Sequence, residues 1–408
     1  MVAEMADIRP FRAHRPRPEI AARVASPPYD VINTSEARAL ALGNPYSFLH
    51  VTRPEIDLPE GTDEHADLVY DKACENLESL IAENTLSAES EARLYLYAQK
   101  MGLHRQVGIV ACASVADYDA GRIKKHEKTR ADKEDDRTKH IDTISAHDEP
   151  VFLTYRAVPA LDALVKRGQE AAPTYDFTSD DGVHHQLWVL DRDESFEAAR
   201  LFEKVPTLYV ADGHHRSAAA SRVAKARRGT GGEHDVFMAV LFPHDQMQIL
   251  AYNRVVKDPK GRSPGALIEA LREKLELSEA STPAPPSAKQ FGLYLDGKWW
   301  HGRVKPGSYD ASDPVASLDC SICQDQILGP IFDVKDPRRD THIDFVGGIR
   351  GAVELETRVN RDGFSLAIHL YPTQLDELMK VSDAGLLMPP KSTWFEPKLK
   401  SGLFVHVF

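Results

Sequence analysis

The feature that most constrains this chain is a strand, a tight turn and a helix in direct succession. Residues 207–210 form a short apolar run that predicts a buried strand. Asp212-Gly213 is a turn dipeptide, and the alanine-rich residues 217–228 predict a helix that ends at Gly229. Unused backbone N–H groups and the helix dipole favour a negative charge at the first turn of such a helix. The succession therefore predicts a phosphate-binding turn.

The side chains of this turn are consistent with that prediction. Arg216 offers a forked donor for phosphate oxygens, and His214 and His215 are candidate donors or acids. Asp212 is a candidate metal ligand or proton acceptor. The simpler interpretation is that Asp212 caps the helix and that the histidines are ordinary surface residues. The residues alone leave both interpretations open.

Composition narrows the class of protein. The chain has 408 residues, which predicts two or three domains, and 42% hydrophobic with 27% charged residues is typical of a globular protein. A net charge of −12 argues against broad binding to nucleic acid. No apolar run approaches the roughly 20 residues of a membrane span, and we expect no secretion signal. Four cysteines form no disulfide framework, which favours a reducing cytoplasm.

Hydrophobic periodicity and the positions of turn residues predict an α+β fold, with mixed sheets, packed helices and the 208–228 unit on one sheet. Proline and small polar residues at 278–287 predict a linker between a region 1–277 and a C-terminal α+β region 288–408. The rigid, proline-rich residues 387–399 are expected to fold back on a cleft, with Lys391 facing an anion. A packed pair of C-terminal strands is the alternative.

Two further stretches carry candidate site residues. Residues 123–140 contain very few apolar side chains, which predicts either a solvated charged helix or a loop whose cations grip phosphates while its carboxylates hold a divalent cation. Pro27-Pro28 fixes an extended segment that can hold Tyr29 and Asp30 near a site. Asp30 is alternatively a cap ahead of a helix that begins near Asn33.

Three motifs occur in one order along the chain. They are His-Glu-Lys-Thr at 126–129, Ala-Asp-Gly-His-His-Arg at 211–216, and Met-Pro-Pro-Lys-Ser-Thr-Trp-Phe-Glu-Pro-Lys at 388–398. Together they resemble the domain of unknown function 1015 family, from about residue 7 to the C-terminus.

The central motif also resembles the phosphate-binding turn of the ParB/sulfiredoxin-like superfamily, which includes ParB nucleotide-binding domains, sulfiredoxin and free L-serine kinases. Sulfiredoxin has a cysteine in the corresponding turn, whereas this chain has His214 there. No helix-turn-helix of the ParB kind is evident. The serine kinases keep Asp-Gly-His-His-Arg itself, so the resemblance implies a ParB/sulfiredoxin-like nucleotide-binding core and kinase chemistry.

That resemblance implies a kinase that transfers a phosphoryl group from ATP or ADP, with Mg²⁺, to a hydroxyl such as that of free serine or a related hydroxy acid. The candidate catalytic residues are Asp30, Glu127, Asp212 and His215. The candidate phosphate-binding residues are Gly213, His214, Arg216, Ser217, His126, Lys128, Thr129, Arg137 and Lys391. The metal ligands are left unassigned. Expected partners are the nucleotide and a small hydroxyl-bearing substrate, and a homodimer is compatible with the sequence.

Two other functions remain open. A ParB-like regulatory protein would bind nucleotide without transfer chemistry. A metal-dependent hydrolase would use several of the 17 histidines, although no His-Glu-x-x-His pattern occurs.

Overall fold

The computed structural model describes residues 6–408. Its internal contacts divide the chain into two units. Unit 1 holds the chain up to Lys125, Thr129–Met247 and Pro397–Phe408, and unit 2 holds His126–Lys128 and Gln248–Glu396.

The principal division falls between Met247 and Gln248, well ahead of the 278–287 linker suggested by the sequence. Most of that proline-rich stretch connects strand Leu275–Glu279 to strand Gln290–Leu295 within unit 2. Proline and small polar residues therefore mark a surface connection here, because such residues disfavour helix and strand equally inside a domain and between domains.

Unit 1 is built on a nine-stranded mixed sheet. From one edge, the order of eight strands is Ile123–Lys124, Leu208–Asp212, Val151–Tyr155, Val236–Pro243, His104–Ser114, Tyr95–Met101, His184–Val189 and Tyr175–Thr178. The ninth, Ile8–Arg9, pairs with His104–Ser114. The strand that precedes the predicted phosphate turn pairs parallel with Ile123–Lys124 and antiparallel with Val151–Tyr155. The expectation of a mixed sheet beneath this unit is confirmed.

The centre of this sheet is apolar on both faces. Every residue of Val236–Pro243 is buried, as expected for a central strand covered on each side. The helices of unit 1 are Ala21–Val24, Thr34–Ala41, Leu49–Thr52, Asp67–Ala82, Val115–Asp119, Ala131–Ile144, Pro159–Gly168, Arg192–Phe202 and His214–Ala226, with short 3-10 turns at Pro18–Ile20, Pro54–Asp57 and His244–Gln246. Two small ladders pair His14–Pro16 with Leu86–Ala88, and Ala146–His147 with His406–Val407.

The charged stretch 123–140 differs from the fully solvated helix that was one of its two interpretations. A helix does form, at Ala131–Ile144, but Asp136, Arg137 and His140 are buried. They are buried because each has a partner: Arg137 donates to Asp136 at 2.8 Å, and His140 lies 2.8 Å from Asp148. Burial of paired polar groups leaves no apolar periodicity in the sequence, so the packing of this helix was not predictable.

Unit 2 is built on a six-stranded antiparallel sheet. Its strand order is Leu275–Glu279, Lys298–Val304, Gln290–Leu295, Leu366–Leu370, Tyr252–Val256 and Ile343–Gly347. The helices are Pro264–Lys274, Asp319–Cys323, Gly329–Phe332, Gly351–Arg361 and Leu375–Asp383, with a π-turn at Gln324–Leu328 and a 3-10 turn at Gly348–Arg350. A short ladder joins Gln248–Leu250 to Trp394–Glu396. No helix in residues 6–408 is long and apolar enough to span a bilayer.

The tight packing of the unit 1 sheet makes Gly108 a sensitive position. A Cβ there would lie 2.6 Å from Cγ1 of Val240 and 2.9 Å from the ring of Phe242. We expect Gly108→Ala to lower the free energy of unfolding by about 1–3 kcal/mol, as overpacking of a filled core does. Urea denaturation measures this. Gly265→Ala is the control, because nothing lies within 4 Å of its Cβ position. Equal stability of the two variants would contradict the packing described here.

Candidate phosphate-binding site

The site begins where strand Leu208–Asp212 passes into helix His214–Ala226. Gly213 makes the turn in the left-handed region, at φ +91°, which glycine adopts at little cost. The helix therefore starts directly after Gly213 and earlier than the alanine-rich run at 217 suggests. A register shift between Val210 and Asp212 in the ladder with Val151–Tyr155 adds a bulge at this strand end. Such bulges re-aim the side chains that follow them.

Arg216 lies directly over this turn. A Cβ on Gly213 would be 3.1 Å from Cζ, Nε and Nη2 of Arg216, so the guanidinium lies against the glycine. Its Nη1 donates to the carbonyl of Pro150, and the residue is only 7% exposed. The side chain is thus fixed at the first turn of the helix, where backbone N–H groups lack intrahelical acceptors.

The surroundings of Arg216 are polar and charged. Burial alone favours the neutral guanidine, but Glu149, Asp30 and Asp212 outweigh burial and raise the pKa of Arg216 above its ordinary value. The guanidinium therefore stays charged at any physiological pH.

Asp212 is held as the counter-ion of a lysine. Its Oδ2 lies 2.9 Å from Nζ of Lys398, and its Oδ1 accepts the N–H of Gly213 at 2.9 Å. Burial opposes ionisation, but Lys398 and Arg216 hold the pKa of Asp212 well below its usual range. A carboxylate with both oxygens engaged and a depressed pKa is a poor proton acceptor near neutral pH.

Glu149 is the opposite case. It is 4% exposed, and its Oε1 accepts hydrogen bonds from the N–H of Tyr29 and the hydroxyl of Ser401, both at 2.9 Å. Its Oε2 is buried without a hydrogen-bond partner among residues 6–408. Burial, with Asp148 and Asp30 adding to it against Arg216, raises the pKa of Glu149 to about 7.

The segment that carries Asp30 lies in the same cluster. The guanidinium of Arg137 is 4.0 Å from the centroid of the Tyr29 ring. Arg137 also forms a salt bridge with Asp136 and is buried. This predicted phosphate ligand is therefore engaged inside the protein. Asp30 itself is exposed, and it is electrostatically coupled to Arg216, Glu149 and His215. Of the predicted catalytic carboxylates in unit 1, Asp30 is the accessible one.

The remaining predicted residues of unit 1 have local partners. Nε2 of His215 accepts the N–H of Arg130 at 3.1 Å, and burial lowers the pKa of His215. Ser217 is fully buried and its hydroxyl bonds back to helix carbonyls. Thr129 donates to Glu134. His214 is buried in the first helical turn. The hydroxyls of Ser217 and Thr129 are therefore occupied in this structure.

Unit 2 holds His126, Glu127, Lys128 and Lys391. The N–H of Met388 donates to the carbonyl of His126 at 2.7 Å, which brings two of the three motifs together within this unit. Lys391 has a left-handed backbone, at φ +57°, and its ammonium lies 5.4 Å from the Tyr252 ring centroid. An ammonium near an aromatic face is stabilised by the ring quadrupole.

Three residues of the unit 1 cluster were not among the predicted site residues: Glu149, Lys398 and Ser401. Lys398 closes the third motif, so its membership in that motif was the available signal. Glu149 offered only its place in the polar run His147-Asp148-Glu149. Ser401 offered no signal in the sequence, because its role depends on a contact with Glu149, 252 positions earlier.

Comparison with known proteins identifies the family. A family model described as "Protein of unknown function (DUF1015)" matches residues 8–321. The chain belongs to the DUF1015 family. The match ends before the third motif at 388–398. No curated protein matches the sequence.

Solved structures give only distant likenesses. A free serine kinase in complex with AMP is 12% identical, with 72% of this chain and 91% of that chain covered and a TM-score of 0.36. A conserved hypothetical protein from Pyrococcus furiosus is 13% identical, with coverage of 74% and 95% and a TM-score of 0.36. SbnI from Staphylococcus aureus, truncated at its C-terminus, is 11% identical, with coverage of 73% and 87% and a TM-score of 0.37. At these values neither fold nor chemistry transfers to this DUF1015 chain.

The Asp212–Lys398 pair should contribute to stability. We expect Lys398→Met to lower the free energy of unfolding by about 1–3 kcal/mol, because it leaves Asp212 charged and partly buried without its partner. Lys225→Met is the control, since Lys225 pairs with Asp119 in a more exposed position. Adding Asp212→Asn to Lys398→Met should recover part of the loss in a double-mutant cycle, measured by urea denaturation. Strict additivity would show that the two side chains do not interact.

The raised pKa of Glu149 predicts a dependence of stability on pH. Because the folded protein keeps this proton from the ordinary value of 4.5 up to about 7, the unfolded chain loses it first. The free energy of unfolding should therefore fall as pH rises from 4.5 to about 7 and then level off. Glu149→Gln should remove on the order of 2 kcal/mol of this fall, measured by denaturation at pH 5 and pH 8. If Glu149→Gln and the unmodified protein showed the same difference in free energy of unfolding between pH 5 and pH 8, the raised pKa of Glu149 would be contradicted.

Proposed function

We propose that this DUF1015 protein is a nucleotide-dependent phosphotransferase that phosphorylates a hydroxyl group of a small molecule. The observation that carries the proposal is the fixed guanidinium of Arg216 over the left-handed Gly213, at the first turn of helix His214–Ala226. A helix N-terminus and a forked cation in one place form a donor set suited to phosphate oxygens.

Phosphoryl transfer asks little covalent chemistry of the protein, because positioning and electrostatic stabilisation supply most of the acceleration. The oxygen of the acceptor hydroxyl forms a bond to the terminal phosphorus while the bond from phosphorus to the leaving nucleotide oxygen breaks. The hydroxyl proton passes to a carboxylate and then to solvent. In unit 1 we assign that carboxylate to Asp30, because it is exposed and coupled to Arg216, whereas Asp212 is paired with Lys398.

Magnesium was expected to accompany the nucleotide. Asp212, the carboxylate at the turn, has both oxygens engaged by Lys398 and by the Gly213 N–H. It is a counter-ion in this arrangement and does not fit the part of a magnesium ligand. A Mg²⁺ ion that accompanied the nucleotide would therefore need ligands other than Asp212.

The acceptor is proposed as a small hydroxyl-bearing molecule. Free serine is the first compound to test, because Asp-Gly-His-His-Arg at 212–216 resembles the motif of free L-serine kinases. A regulatory protein that binds nucleotide without transferring a phosphoryl group is the alternative. Nucleotide binding without any phosphorylated product would favour that alternative.

The test substitutes Arg216 conservatively. Arg216→Lys keeps the charge and loses the fork, so we expect kcat/KM for transfer from ATP or ADP to fall by about 100-fold. Arg222→Lys, the same change farther along the same helix at an exposed ion pair with Asp135, should stay within about twofold. Product formation by mass spectrometry and ligand-induced thermal shifts are the measurements. Equal activity of the two variants would remove Arg216 from the site, and no binding of any nucleotide by the unmodified protein would end the proposal.

A further inference from the structure

Glu149 directly precedes Pro150, whose carbonyl accepts a hydrogen bond from Arg216, but it takes no part in the transfer step proposed above. It stands between strands Ala146–His147 and Val151–Tyr155, and its carboxyl group is buried. A buried carboxyl group is costly unless it is hydrogen-bonded or neutralised. Oε1 of Glu149 accepts hydrogen bonds, whereas Oε2 accepts none within residues 6–408.

One oxygen joins two remote segments of unit 1. Oε1 accepts the N–H of Tyr29, the residue before Asp30, and the hydroxyl of Ser401. The backbone of Ser401 is in turn bonded in both directions to that of Ser26, at 2.9 and 3.1 Å. Glu149 therefore fixes the segment that carries Asp30, and residues near the C-terminus brace it from the other side.

The other oxygen, Oε2, makes no such link between segments. Oε2 is buried and accepts no hydrogen bond within residues 6–408. The charged groups that face Glu149 are Arg216, Asp148, Asp30 and Arg137. Asp148 is bound to His140, and Arg137 to Asp136. Arg216 is the stronger of the two cations that balance an ionised Glu149, ahead of Arg137.

We propose that Glu149 is a positioning residue of this site, an inference that rests on the proposed function. Through Oε1 it holds the backbone that presents Asp30. Through its negative charge it competes with a bound phosphate for Arg216. A neutral Glu149 leaves the guanidinium to the phosphate, whereas an ionised Glu149 weakens phosphate binding because like charges then share one cation.

The charge role is tested by calorimetric titration with ADP at pH 6 and pH 8.5. Glu149→Gln keeps an acceptor oxygen for Tyr29 and Ser401 and removes the ionisable group. The Kd of the unmodified protein divided by that of the variant should be near one at pH 6 and on the order of tenfold higher at pH 8.5. Titration of the nucleotide's own phosphate cancels in this ratio.

Glu55→Gln is the matched control, because Glu55 is also 4% exposed and pairs with Arg53 in unit 1. Its ratio should not change with pH. A ratio for Glu149→Gln that is equally flat would overturn the inference while leaving the proposed function intact. Failure of the unmodified protein to bind ADP at either pH would overturn both.

The positioning role is tested by kinetics. Glu149→Ala loses the acceptor as well as the charge, so kcat should fall by about tenfold and Glu149→Gln should restore most of it. Ser401→Ala keeps the charge, so it should lower kcat while the pH dependence of ADP binding persists. Circular dichroism identifies a variant that fails to fold. Equal kcat values for the folded alanine and glutamine variants would show that Oε1 does not position Asp30.

Discussion

The arrangement of unit 1 depends on a buried positive charge. The guanidinium of Arg216 lies against Gly213 and is almost inaccessible to solvent, so the surrounding carboxylates must compensate it. Glu149, Asp30 and Asp212 do so unequally, because Asp212 also forms a salt bridge with Lys398, whereas Glu149 is hydrogen-bonded within residues 6–408 only by the neutral N–H of Tyr29 and hydroxyl of Ser401. The pKa of Asp212 is consequently held well below its usual range, whereas the pKa of Glu149 is raised to about 7. Perturbed pairs of this kind cluster at functional sites.

Electrostatic compensation also explains the helix Ala131–Ile144, which packs with charged residues on its inner face. Two buried polar side chains of this helix have partners in unit 1: Arg137 has Asp136, and His140 has Asp148. Removing one partner from such a pair is far more costly than replacing both. The cluster is therefore expected to respond to single substitutions as a coupled network and not as independent residues.

Sequence reasoning located the strand, the turn and the helix around Asp212 because apolar periodicity, a turn dipeptide and helix propensity are local signals. The same reasoning offered Asp212 as an acid–base or metal-binding group. It could not show that Lys398, 186 positions later, forms a salt bridge with this carboxylate. It left residues 123–140 open between a solvated helix and a phosphate-binding loop, because paired burial leaves no hydrophobic pattern. Glu149 and Ser401 were missed because their roles arise from contacts between distant positions. The mixed sheet and the family were predicted, whereas the electrostatics of the site needed coordinates.

The order in which the site acquires its parts follows from Pro397–Phe408 belonging to unit 1. Asp212 and Lys398 are 186 positions apart, and the whole of Gln248–Glu396 is synthesised between them. On the ribosome, the turn and its arginine emerge long before the lysine that neutralises Asp212. The nascent chain must wait for residues 397–408 before this charge cluster is balanced, so unit 1 reaches its native state only after they have been synthesised.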